Sequence, residues 1–169
     1  MSQPPMVEER ALLLSTLNAQ RKHVQGILEG LPEESLRRAV LPSRWTCVGL
    51  VQHLAADVER FWFRAVLAGE QAVIDELAGD SDAWRVASDV PVEEVFDAYQ
   101  REIDFANALI TDTHLNTVPA WWPDFFGDWR LHNLREIILH VTTETACHAG
   151  HLDVVRELID GRRWLILTE

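Results

Sequence analysis

Glu144 and His148 lie four residues apart in the segment HVTTETACHAGHLD, and His53 lies far upstream in LVQHLAADVE. A spacing of four puts two side chains on one helical face, one turn apart. Two such side chains, joined by an imidazole from a facing helix, make a His₂Glu set. That set suits a divalent ion with an open coordination position, as in catalytic zinc sites. The competing reading is a buried Glu–His or Glu–Arg hydrogen-bonded pair, and the spacing alone weighs the two evenly.

The neighbours of these residues carry their own alternatives. His140 sits one turn before Glu144, and His151 just after His148. Either could be a ligand, a proton shuttle or a substrate contact. Asp57, one turn after His53, could orient that imidazole through its other ring nitrogen. Cys147 points outward and reads as packing; Asp153 and Arg156 read as a structural hydrogen-bonding set on the far face. The order His140-x-x-x-Glu144-x-x-x-His148 differs from the H-E-x-x-H of zinc proteases, so no general-base glutamate is implied. Di-iron bundles use Glu-x-x-His twice with two further glutamates, which makes a mononuclear site the better fit here.

The elements that must position these residues are helices, spaced as in an antiparallel four-helix bundle with long connecting loops. The spacing predicts helices over 7–29, 47–68, 91–112 and 134–160. Leu13, Leu17, Val24 and Leu28 stripe the first. Val51, Leu54, Val58, Phe61 and Ala65 stripe the second, which opens on Thr46 as N-cap. Val95, Tyr99, Ile103, Ala106 and Ile110 form the inner face of the third. Asn133 and Glu136 have capping-box spacing at the start of the fourth, whose seam runs Ile138, Val141, Thr145, His148, Leu152, Val155 and Ile159. On that seam Glu144 is about 40° from His148. Residues 31–45 read as a connector with a short helical turn, and residues 69–90 as an acidic excursion with one short helix. The segment WWPDFFGDW, residues 121–129, is irregular and aromatic. It reads as a cap over one end of the bundle, with Trp121, Trp122 and Trp129 as the alternative apolar wall of a ligand pocket. The tail WLILTE is expected to pack on the bundle.

Bulk properties narrow the partners. The 169 residues suffice for one domain with a real core, expected to span 1–169. A net charge of −12 repels nucleic acid, whose binding rests on Lys and Arg neutralising phosphates. No apolar run approaches the ~20 residues of a membrane span. The start, MSQPPMVEER, lacks a signal-peptide apolar region, and two cysteines suit a reducing compartment. A cytoplasmic protein is expected; a homodimer through an outer helix face is an arrangement the pattern allows. Of 15 basic residues, Lys22 is the one lysine, a compositional bias that hints at a GC-rich genome.

Three stretches carry a family resemblance: LPSRWTCVGLVQHLAADVERFWF (41–63), VEEVFDAYQREI (92–103) and NLREIILHVTTETACHAGHLDVVREL (133–158). With them the chain resembles the DinB-like (YfiT-like) metal-binding four-helix bundles, in the branch that holds the N-terminal domain of mycothiol-dependent maleylpyruvate isomerase. The resemblance implies a metal triad of His53, Glu144 and His148, with zinc, nickel or another divalent ion and water in the open positions. It also implies a mycothiol-type thiol as cosubstrate. That isomerase has a further C-terminal domain contributing to its active site, whereas this chain ends at Glu169. With the aromatic 121–129 segment, this shifts the expectation from that isomerisation to another small, apolar electrophile.

The sequence offers no Ser–His–Asp arrangement and no Cys–His pair facing the seam. A nucleophile brought in as a thiol, activated on the metal, therefore gives the expected reaction: an S-transfer or isomerisation. The alternatives are a hydrolase using metal-bound water and a non-catalytic metal-binding stress or sensor module.

Overall fold

The structure is a computed structural model that describes residues 6–77, 79 and 82–164. It is helical, with no strand among the described residues. The first helix, α1, is Met6–Leu28, followed by the short α2, Glu33–Leu36. The second long helix starts as α3, Cys47–His53, and continues as a π-helical stretch, Leu54–Leu67. After the short α4, Gln71–Glu76, come α5, Val92–Asp112, a 3₁₀ turn at Asp124–Phe126, and α6, Leu134–Asp160.

The start and stop signals act as their chemistry dictates. The Thr46 side chain accepts from Gly49 N at 3.1 Å. Asn133 accepts from Glu136 N at 3.1 Å, while Glu136 reaches back to His132 N at 2.7 Å, which satisfies amide groups that the first turn leaves orphaned. Gly161 closes α6 at φ 78°, a left-handed conformation that glycine adopts without cost.

Hydrogen bonds fix the helix directions. Glu9, near the start of α1, holds Arg135 in the first turn of α6. At the other end Arg156 of α6 donates to the carbonyls of Ile27 (2.8 Å) and Glu29 (3.0 Å). So α1 and α6 run in the same direction. Arg10 bonds the carbonyls of Thr111 and Thr113, and Gln25 bonds Gln100, so α5 runs opposite to α1. His53 meets His148 and Trp62 meets His140, so the second helix opposes α6 and runs with α5. The expectation of antiparallel neighbours therefore needs correction: α1 against α6, and the second helix against α5, are parallel. Only short loops force antiparallel neighbours. The connector 68–91 is long enough to carry the chain back along the second helix, and that return matters for the site.

The apolar stripes meet in one core. Leu17, Val24, Leu28, Val51, Leu54, Val58, Tyr99, Ile103, Ile110, Ile138, Val141, Leu152 and Val155 are all buried; Leu13 and Ile159 are partly buried against them. One polar feature in this core was not anticipated. Arg21 falls on the α1 stripe between Leu17 and Val24, and is 2 % exposed. It forms a two-pronged pair with Glu59, Nε–Oε1 2.6 Å and Nη2–Oε2 2.5 Å, and its third nitrogen bonds Asn18 and Asn107, both at 2.8 Å. Burial pushes the Glu59 carboxyl upward and the arginine pulls it back. Such a pair survives burial only when its remaining donors are satisfied, as the two asparagines do here. The π-helical stretch contributes, since each of its turns holds about one residue more than an α-turn, which brings Leu54, Glu59 and Phe63 near one line.

Arg156 and Asp153 do not pair with each other. Arg156 binds the carbonyls of Ile27 and Glu29, at and just past the end of α1, and Asp160, while Asp153 accepts from His23 at 2.8 Å. Trp164 stacks on His23 at 5.0 Å and lies so close to Gly26 that a Cβ there would sit 2.4 Å from its ring. The start of the tail thus packs on α1 as expected; residues 165–169 lie outside the described residues.

Candidate functional site

The facing of the second helix and α6 brings His53 and His148 together, ring centroids 5.0 Å apart and edge to face. Glu144 stands one turn before His148, its Oε2 3.7 Å from His148 Nε2. That is too long for a hydrogen bond. It is close to the separation of about 3.4 Å expected for two ligands on one tetrahedral ion with bonds of about 2.0–2.2 Å. Among the described residues no group of three or more His, Cys, Asp or Glu side chains is placed so that it could hold a metal ion. The donor types of His148 and Glu144, and the 3.7 Å between them, are those of two ligands that could share a divalent ion.

The orientation of each imidazole has a cause. His53 Nδ1 lies 2.8 Å from Asp57 Oδ2. The carboxylate accepts there from Nδ1, which leaves Nε2 as the ring nitrogen on the side away from Asp57. Asp57 thus does what its one-turn spacing suggested. Burial, with His53 nearby, holds His148 down to about 4, so its ring is neutral at physiological pH and available as a ligand or base. The side chain of His148 is 12 % exposed. The seam position at that turn is taken by Ala149, fully buried. His148 is therefore not in the seam, as its heptad position suggested, but on its flank. A bulky polar ring there is reachable from solvent, and small Ala149 lets the helices close.

His151 is exposed, with Nδ1 3.5 Å from His148 Nδ1 and its ring 6.4 Å from Trp45. His140 is half-buried under Trp62 (4.6 Å) and Trp129 (5.5 Å), and burial lowers its pKa. Cys147 is exposed and Cys47 buried. Outward pointing of Cys147 was expected, but it faces solvent and packs little.

The aromatic segment forms a cluster with the second helix. Trp62 contacts Trp122, Phe126 and Trp129, while Phe61 contacts Trp121, Phe125 and Phe126. It is anchored where Ala120 N and Trp121 N bond the last carbonyls of that helix, Leu67 and Val66. The cluster reaches His140, two turns from His148. Trp121 and Trp122 line a separate cleft with Arg130 and His132. Phe61, Phe125 and Phe126 border another cleft, of about 320 Å³, with Asp57 on its rim, while Trp129 is the member of the segment that touches a site histidine, His140.

Trp84 was missed entirely. It stacks on His53 with centroids 4.1 Å apart and planes 20° from parallel, and stands edge-on to His148 at 5.7 Å. Its placement is built into α3. A Cβ on Gly49 would lie 2.2 Å from the Trp84 carbonyl oxygen, so only glycine admits the loop. The Gln52 amide donates to Ala83 O at 2.9 Å and Arg85 O at 3.3 Å. A tryptophan in an acidic connector gives no periodic signal; Gly49 inside a helix pattern was the one sign of a close backbone approach.

A helical protein with two imidazoles and a carboxylate facing each other across antiparallel helices is the class this geometry defines. The family model described as MST: Mycothiol-S-transferase matches residues 12–161, and the chain belongs to that family, a DinB-like one. Comparisons with curated proteins and with solved structures return no significant match.

Proposed function

We propose that this protein is a divalent-metal-dependent S-transferase that joins the sulfur of a mycothiol-type thiol to a small electrophile. Family membership supports the thiol transfer. The observation that carries the rest is the position of His148, whose ring centroid is 5.0 Å from that of His53 and whose Nε2 is 3.7 Å from Glu144 Oε2. These three would hold the ion, zinc being the best match to two nitrogens and one oxygen. The four long helices, each packed on two neighbours, would form the four-helix bundle around it.

When bound, such an ion supplies a Lewis acid that favours the thiolate over the thiol near neutral pH. The protein's own residues do the rest. Asp57 fixes the His53 ring and so directs Nε2 toward the site. Burial keeps His148 and His140 neutral. His140, one turn from Glu144, can accept the thiol proton. The sulfur–carbon bond forms as the bond to the leaving group breaks, and the leaving group departs with that proton. Trp84 and the aromatic cluster keep the site walls apolar, which strengthens the electrostatic interactions inside.

The test is turnover of a halodinitrobenzene or bimane electrophile by metal-replete protein, with and without mycothiol. A rate that requires both thiol and metal supports the reading. A metal-dependent rate without thiol would make the protein a hydrolase, and tight metal binding with no rate a sensor; either outcome refutes S-transfer.

A further inference from the structure

Two clefts of different chemistry are each lined by a residue that touches His53. One, of about 700 Å³, is lined by Ser43, Arg44, Trp45, Trp84 and Arg85. It reaches the site through Trp84 on His53 and Trp45 beside His151. The other, of about 320 Å³, is the apolar one that reaches the site through Asp57, which bonds the same imidazole. Both volumes lie in or near the range of about 300–1,000 Å³ typical of small-molecule pockets.

The larger cleft is a built feature. Its Trp84 wall is fixed by the Gly49 close approach and the two Gln52 bonds. Arg44 holds a left-handed backbone at φ 63°, a conformation that is costly for a non-glycine residue and collects at ligand sites. Its amide is tied to Leu41 O at 2.9 Å. Arg85 is tied to Asp82 at 3.0 Å. The walls therefore offer two indole rings, a hydroxyl and guanidinium donors that accept no protons themselves.

That set matches a polyhydroxylated ring system. Sugar and cyclitol rings present C–H faces that pack on indole, and hydroxyls that accept from guanidinium. Mycothiol is a cysteinyl thiol carried on an amino sugar and inositol. A small apolar electrophile finds no such complement there, but does find it against Phe61, Phe125 and Phe126.

We propose that the cleft of Ser43, Arg44, Trp45, Trp84 and Arg85 holds the sugar and cyclitol part of the thiol cosubstrate, its sulfur turned toward His53 and His148, while the electrophile enters from the phenylalanine side. This rests on the thiol-transfer reading above, and deepens it by dividing the two substrates between two named surfaces.

The test uses S-methyl mycothiol, which keeps the polyol and cannot form a thiolate, titrated into metal-replete protein by calorimetry. Arg44→Gly removes the side chain while suiting the left-handed backbone, and Phe125→Ala alters the other cleft. Arg44→Gly should weaken binding about tenfold or more, the equivalent of one or two lost hydrogen bonds, with metal content unchanged. Phe125→Ala should leave this binding as in the wild type. Absent wild-type binding, equal affinity in Arg44→Gly, or equal weakening by Phe125→Ala would each overturn the assignment. Wild-type binding weakened only by Arg44→Gly, in a protein that turns over no electrophile, would leave the cleft standing and remove the S-transfer reading.

Discussion

The indole of Trp84 lies flat against the imidazole of His53, 4.1 Å between centroids, although a long connector separates the two in sequence. The contact exists because α3 carries glycine at position 49. Gly49→Ala would place a methyl group 2.2 Å from the Trp84 carbonyl oxygen, and backbone cannot yield as a flexible side chain can. The expected cost is about 1–3 kcal/mol, seen as a lower denaturant midpoint, with changed tryptophan fluorescence as Trp84 leaves His53. An unchanged midpoint and spectrum would mean that the loop is not held there.

The Arg21–Glu59 pair should behave as a buried unit. Arg21→Met leaves the Glu59 carboxylate unpaired, a loss of about 3–5 kcal/mol. Glu59→Met strands the guanidinium and should cost a similar amount. The double variant should be more stable than either single one, because no uncompensated charge remains. Denaturant unfolding of the four proteins reads this directly; strict additivity would show that the pair is not coupled.

How much of this was legible in the sequence follows from what leaves a periodic trace. Stripes such as Val95, Tyr99, Ile103, Ala106 and Ile110 located the helices, and the caps Thr46, Asn133 and Gly161 bounded them. The one-turn spacing of Glu144 and His148 was readable for the same reason. Helix direction was not, because it depends on where the 68–91 connector goes, and nothing periodic encodes that. Arg21 was passed over because a charged residue on an apolar stripe reads as an interruption until its partner is seen. The heptad count put His148 in the seam where Ala149 sits, since a straight helix drifts relative to a seven-residue repeat. Trp84 and the arginines beside it are loop residues, placed by tertiary contacts alone.

The two cysteines should differ in reactivity. Burial pushes the Cys47 thiol up to about 11, and Cys147 is exposed. In native protein at pH 8 a disulfide reagent should label one thiol per chain, and two after denaturation. The sign of the pH effect follows: the unfolded chain releases the Cys47 proton near 9, the folded one only near 11. The unfolded state therefore binds fewer protons between these values, and stability falls as pH rises from 9 to 11, by on the order of 2 kcal/mol. Cys47→Ala should flatten that part of the curve. Two native-state labels would contradict the burial of Cys47.

Phe125 is 71 % exposed, so Phe125→Ala should change stability by no more than about 0.5 kcal/mol. If the phenylalanine cleft receives the electrophile, the same variant should raise the KM for an apolar electrophile severalfold, leaving the KM for thiol and the metal content unchanged. Trp122→Ala, in the separate cleft, should affect stability more and KM less. Steady-state kinetics with each substrate varied in turn separates these outcomes; an unchanged electrophile KM in Phe125→Ala would remove that cleft from the account.

The central claim is that His53, Glu144 and His148 together hold one divalent ion. Elemental analysis of wild-type protein, purified without chelator or added metal and again after reconstitution, set beside His53→Ala and His148→Ala, tests it most directly. The account predicts one divalent ion per chain in the wild type, zinc foremost. Both variants should lose it sharply while keeping their helical circular dichroism, because the apolar seams supply most of the stability. Equal metal in all three proteins, or none in the wild type after reconstitution, would contradict the claim.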